Sequence, residues 1–354
     1  MTLVKTLSVC SRVGTTLQPC RCRIISPPLH SQSHVRLHHF LCVRNGRGSH
    51  HQLPWLHRCF RTKRKVDREV VPETTSTLGS LLKPFCLSVA VCGASFTGAM
   101  VWQYETLRYY ARRHQNEGNT KNLDAALAKS FGFRAHLNSL WNNFSPGQKV
   151  VSGLVASNVC VFLLWRIPAL APFLMKYFSS APGRPLPSMI LSAFSHYSFL
   201  HLAANMYVLW SFSSISLNLF GKEQLSAVYL SAAAVSSFTS MVHKVIRGRP
   251  VPSLGASGAL MAVLGAVCLS YPDARLSIAF LGEIVPHSFS ASNALTGIIV
   301  LDVVGLVLGW RMFDHAAHLG GMLFGLWYTH YGREVVWRRR QAVMKFWHDV
   351  RGKP

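Results

Sequence analysis

Seven stretches of this chain are long, apolar and nearly free of charge, which leaves few folds open to it. They cover residues 84–104, 150–165, 195–220, 224–242, 252–271, 294–310 and 315–331. A helix needs about 20 largely apolar residues to cross a bilayer. In hydrocarbon each backbone N–H and C=O must be satisfied by the chain itself, which favours helices as the spanning elements. Charged residues make up only 14% of the 354 positions, against roughly 25% in soluble domains. The expectation is an all-α polytopic membrane protein. Its first helix is set apart from the other six by a polar connector, 105–149. The window 150–165 is short, and Arg166 at its end is able to snorkel. The segment 166–187 holds Pro168, Pro172, Pro182, Pro185 and Pro187 among bulky apolar residues, and is expected at the membrane interface. The stretch 276–290 is interrupted by Glu283, Pro286 and His287 and reads as a loop or interfacial segment.

The formal charge of +24 suggests nucleic acid, but its placement does not. Residues 1–66 carry twelve Lys/Arg, seven His and no acid, and Asp67 is the first carboxylate. Nucleic-acid binders carry their charge on a folded surface beside readout elements. Here it lies in a leader and beside spans, so no nucleic-acid partner is expected. A basic, acid-free leader without a long apolar run has the composition of a mitochondrial transit peptide. The chain then divides into the leader (1–66), a segment with the first helix and connector (67–149), a core (150–332) and a basic tail (333–354). Both 105–149 and the tail hold seven Lys/Arg, so the positive-inside rule is split. With a matrix-side N-terminus, the first turns of the odd-numbered spans face the matrix. Five of the nine cysteines lie in the leader and the rest in apolar segments, so neither a disulfide framework nor a zinc site is expected.

Polar side chains inside a membrane are costly and usually functional. His201 begins the third span, Ser257 the fifth and His318 the seventh. Odd-numbered spans run in one direction, so the three residues meet at similar depth. Ser257 lies in Gly255-Ala256-Ser257-Gly258. A serine hydroxyl needs a base before it attacks a carbonyl. The two glycines are expected to leave room for an incoming peptide backbone, and the backbone N–H at a helix start is free to bind an oxyanion. The same small residues also suit close helix packing. His318 is followed by Gly320, Gly321 and Gly325, a face along which its helix can approach another closely. It is the candidate base. His201 and Asn205 share a helix face four residues apart, with His196 just before. They serve either as oxyanion donors or as interhelical hydrogen-bonding groups. Asp302 is read as a structural partner because no spacing links it to Ser257. Asp314 lies at an interface and is not assigned to a triad. His196, His201, His315 and His318 are not read as metal ligands, because there is no His-Glu-x-x-His and no nearby glutamate base.

Taken together, three motifs resemble the rhomboid family of intramembrane serine proteases. They are His196-x4-His201-x3-Asn205, Gly255-Ala256-Ser257-Gly258 and Ala317-His318-Leu319-Gly320-Gly321-x3-Gly325, each on the expected span and in order. Trp165-Arg166 before the interfacial segment also fits, and the similarity covers about 150–332. The resemblance implies a six-helix rhomboid core plus one extra N-terminal transmembrane helix (1+6). It implies a Ser257–His318 dyad without a catalytic acid, with an oxyanion hole of His201, Asn205 and the Ser257 N–H. His196, Gly255, Gly258 and Met261 would support it, and no cofactor or metal is implied. Substrates would be single-span membrane proteins whose helix unwinds into the site. The leader and extra helix resemble the mitochondrial inner-membrane branch. That branch implies cleavage of imported membrane proteins, linked to mitochondrial quality control and apoptosis. Many bacterial members place an aromatic residue four positions after the serine, where it stacks on the histidine; this chain has Met261 there. Rival expectations are an inactive rhomboid-like protein that binds unstable transmembrane helices, and a small-solute transporter, against which the lack of an internal repeat weighs. Nothing in the sequence sets an oligomeric state.

Overall fold

Alternating caps and apolar runs divide the chain into helices. The computed structural model describes residues 78–116, 133–277 and 288–352. The basic leader and the middle of the 276–290 segment lie outside the described residues. In chain order the helices are α1 (Leu82–Asn116), α2 (Phe133–Asn143), α3 (Pro146–Leu164), α4 (Ala171–Tyr177), α5 (Ser188–Leu191), α6 (Phe199–Ser211), α7 (Ser213–Ile246), α8 (Ser257–Ser270), α9 (Ala291–Leu308), α10 (His315–Trp327) and α11 (Arg340–Arg351). The strands β1 (Arg275–Leu276) and β2 (Phe289–Ser290) form a small antiparallel pair that closes the stem of the 276–290 loop.

Local chemistry sets the ends of several helices. Ser145 and Gln148 form a reciprocal capping box at the start of α3, with Pro146 in the first turn, where its missing N–H costs nothing. Ser290 caps α9 through the Asn293 N–H, and Gly309 closes that helix in the left-handed conformation. Inside α7, Gly221 adopts φ +74 and breaks the helix where the sequence separates its third and fourth spans. Glycine takes this conformation without the steric cost of a Cβ.

Among the described residues, four helices are long and apolar enough to cross a membrane: 79–113, α3, α7 and α9. In its most apolar window α7 is 67% buried, whereas α3 and α9 are each 17% buried. The Ala/Ser-rich α7 is therefore the central post, and α3 and α9 stand at the periphery. Ala232, Ala233 and Ala234 are fully buried on α7, and α1, α3, α8 and α10 pack around it.

Two helices begin later than the sequence suggests. The third span was expected from residue 195 and the fifth from residue 252, but α6 starts at Phe199 and α8 at Ser257. Ser195 and Ser198 are extended ahead of α6, and the segment before α8 pairs through Ser253 with Ser180 and through Gly255 with Ser192. The 14 residues of α8 span only about 21 Å at 1.5 Å per residue, short of the roughly 30 Å of hydrocarbon. The proline-rich segment 166–187 folds onto the body of the protein, where Leu174 and the Ala181 backbone loop are buried. The basic tail is also ordered: α10 continues as a π-helical run, Tyr328–Trp337, and α11 follows.

Candidate active site

Ser257 is the first residue of α8 and is half-buried. The loop before it is held from three sides. Ser180 and Ser253 exchange backbone hydrogen bonds of 2.8 and 3.0 Å, and the Gly255 N–H donates to the Ser192 carbonyl at 2.9 Å. The Ala256 N–H donates to His196 Nε2 at 3.3 Å. His196 is fully buried, and its segment is tied in turn to the end of α3. Trp165 Nε1 donates to Ser195 Oγ at 2.8 Å, and Arg166 donates to the Tyr197 carbonyl at 2.6 Å. The Trp165-Arg166 pair thus secures the loop that secures the serine.

His318 lies one turn into α10, and its Nε2 is 2.8 Å from Ser257 Oγ. Glycines make this approach possible. A Cβ on Gly321 would overlap the Gly258 carbonyl, and one on Gly325 would overlap the Ala262 carbonyl. Only residues without side chains let α8 and α10 come this close. The start of α10 is anchored by Asp314. Its Oδ1 accepts the Ala317 N–H at 3.1 Å, its Oδ2 accepts from Ser240, and Lys244 Nζ is 3.2 Å away. Lys244 also donates to Ser253 Oγ at 2.6 Å, so a single polar network joins the α10 cap to the loop before the serine. Asp314 is a cap and anchor, with no hydrogen bond to the His318 ring.

The other predicted residues gather at the same place. The His196 and His201 rings lie 4.9 Å apart, edge to face. A Cβ on Gly255 would come 2.7 Å from His201 Cε1 and 3.0 Å from its Nε2, so the ring rests on the backbone just before Ser257. Asn205 is buried, and its amide donates to the His201 carbonyl at 2.8 Å, which leaves a second N–H available. The two glycines were expected to make room for a substrate backbone. Instead the space beside Gly255 holds the His201 ring, and a Cβ on Gly258 would strike Ser236 of α7 at 2.5 Å. Met261 is partly buried one turn along α8.

The structure also brings in a residue that sequence spacing did not connect to the site. Asp302 of α9 is buried, with Oδ1 3.2 Å from His318 Nδ1 and 2.7 Å from His315 Nδ1. The His318 ring has this carboxylate at its Nδ1 and the Phe313 ring at 6.0 Å. In the sequence the signal was a lone acid in the middle of an apolar span, with nothing to say what it faced.

Residues 185–334 match the rhomboid domain model. The chain is 47% identical over 289 residues to human "Presenilin-associated rhomboid-like protein, mitochondrial", covering 81% of this chain and 76% of the human one. It is 45% identical over 293 residues to the Danio rerio "Presenilin-associated rhomboid-like protein A, mitochondrial", covering 77% and 76%. It is 34% identical over 202 residues to the Saccharomyces cerevisiae "Rhomboid protein 1, mitochondrial", covering 56% and 57%. With identity of this extent across most of both chains, and with the glycine-packed serine and histidine helices in place, the chain belongs to the rhomboid family.

Proposed function

We propose that this protein is a serine endopeptidase that cuts single-span membrane proteins within the bilayer. The observation that carries this reading is the 2.8 Å separation of Ser257 Oγ and His318 Nε2 on two helices of an apolar bundle. Ser257 Oγ attacks the scissile carbonyl carbon while its proton passes to His318 Nε2. The oxyanion that forms is held by the Ser257 N–H, His201 and the free N–H of Asn205. Collapse breaks the C–N bond, and His318 gives its proton to the leaving amine. Water then attacks the acyl-serine, with His318 again taking and returning the proton. No metal takes part. A regular helix buries its own peptide groups, so the substrate segment must unwind to reach a serine recessed at the start of a short helix.

The 1+6 layout belongs to the same reading, with α1 as the added span. Placement in the mitochondrial inner membrane is supported by the acid-free basic leader and by relatives whose names are mitochondrial. A role in mitochondrial quality control and apoptosis follows as part of the proposal.

The test is cleavage of a single-span reporter in liposomes. Wild type should cut with and without a chelator, while Ser257→Ala and His318→Ala should lose cleavage altogether. Equal cleavage by all three proteins would rule the dyad out. Capture of an uncut reporter by the wild type would favour a helix-binding, inactive member.

A further inference from the structure

We infer that Lys244 is a positioning residue of the Ser257–His318 dyad, fixing where the serine loop and the histidine helix start relative to each other. This role rests on the protease reading above and falls to a residue that touches neither reacting atom.

The first observation is where the ammonium reaches. Lys244 sits near the end of α7, the central post, and its side chain is only 10% exposed. Its Nζ donates to Ser253 Oγ at 2.6 Å and to the Ser180 carbonyl at 3.4 Å, and it lies 3.2 Å from Asp314 Oδ2. Ser253 stands four positions before Ser257, and Asp314 four positions before His318. One cation therefore holds the chain equally far upstream of the nucleophile and of the base. An ammonium has three donors and no acceptor, and these three oxygens match that number. Each contact is braced in turn. Ser180 and Ser253 exchange backbone hydrogen bonds. Asp314 Oδ2 also accepts from Ser240, one turn earlier on α7. Its Oδ1 caps α10 through the Ala317 N–H, and its carbonyl accepts the His318 N–H at 3.0 Å.

The second observation is that stability alone does not call for this pair. Desolvation of a buried ion pair offsets much of its attraction, and well-packed apolar residues of similar volume often hold a fold as well or better. What charged hydrogen bonds add is direction, whereas apolar burial is non-directional. The glycine faces of α8 and α10 set how closely these helices approach. The Lys244 contacts set how the start of one lies against the start of the other. The 2.8 Å contact between Ser257 Oγ and His318 Nε2 needs both, because a misplacement of about 1 Å can cost on the order of 10²-fold in rate.

A competing role is structural, with Lys244 only neutralising the buried Asp314. Lys244→Met combined with Asp314→Asn separates the two. This double variant carries no unpaired charge, and Asn still caps α10. Positioning predicts a fall in kcat of about 10²-fold in the liposome assay, with KM near wild type. The rate at which a fluorophosphonate labels Ser257 should fall in parallel, while the unfolding midpoint in detergent stays close to wild type. Neutralisation alone predicts wild-type kcat and labelling at that midpoint. A kcat within about threefold of wild type in the folded double variant would overturn the inference. Where that variant does not fold, Ser253→Ala decides. It keeps the Lys244–Asp314 pair and cuts only the arm to the serine loop. The expected kcat is about tenfold lower at an unchanged midpoint, the order of one hydrogen bond, and a kcat within about twofold of wild type overturns the inference. Ser257→Ala runs beside both. Its inactivity keeps the protease reading whatever Lys244 does, and cleavage that persists in it would sink that reading itself.

Discussion

Gly255 carries φ +135, and the His201 ring occupies the place a Cβ would take. Alanine at this position would strain the backbone and displace a proposed oxyanion donor together. The expected result for Gly255→Ala is a loss of about 10²-fold in kcat, with little change in KM, measured in the liposome assay. Asp314 has a different function. Replacing it with alanine removes the α10 cap and leaves Lys244, only 10% exposed along its side chain, without its carboxylate. The expected cost is about 2 kcal/mol, from the lost cap and the orphaned charge, read as a lower unfolding midpoint in detergent. These residues differ in how far the sequence exposed them. Ser257, His318 and His201 stood out because polar groups are rare inside apolar spans. Asp302 stood out for the same reason, but its partner lies 16 positions away on another helix. No local periodicity encodes the rotation of α9 that turns Asp302 toward α10.

At the scale of elements, the pairing of α8 with α10 sets the distance between the serine and the histidine. Gly258 and Gly321 meet backbone to backbone, as do Ala262 and Gly325, and Gly265 lies against Met322. Gly325→Leu should wedge the helices apart, abolish cleavage and cost roughly 1–3 kcal/mol or more by overpacking. Gly297 of α9 provides the contrast, because a Cβ there meets nothing within 4 Å. Gly297→Leu should stay within about 0.5 kcal/mol of wild type, with cleavage retained. One experiment, activity and unfolding midpoint for both variants, tests the packing argument. The small-residue faces were legible as a pattern, and the sequence admitted both a catalytic and a packing reading. The structure assigns both glycines of the Gly255–Gly258 motif to packing, against His201 and Ser236, with the serine between them.

At the scale of the whole molecule, α1 and α11 form a clasp outside the site. Phe96 of α1 stacks on Tyr328 at 4.9 Å, and Ser88 donates to the Ala234 carbonyl of α7 at 3.3 Å. Near the end of α1, Glu105 accepts from Trp347 and Arg351 of α11, and Tyr104 is 2.7 Å from His348. Ending the chain after Trp337 should lower the unfolding midpoint modestly and leave kcat within about twofold, since exposed ion pairs contribute little and none touches the dyad. A large loss of kcat at full folding would show instead that the clasp reaches the site.

The sequence by itself determined the helical membrane class and the residues that converge. Insertion into hydrocarbon depends on composition summed over about 20 residues, and the order of the apolar stretches led to the expectation that His201, Ser257 and His318 meet. The tertiary structure decided where α6 and α8 begin, what fills the space beside Gly255 and Gly258, and what faces His318 Nδ1. Those outcomes depend on contacts between helices distant in sequence and on the rotation of each helix about its axis. Packing sets that rotation, and an apolar surface facing lipid leaves it unspecified.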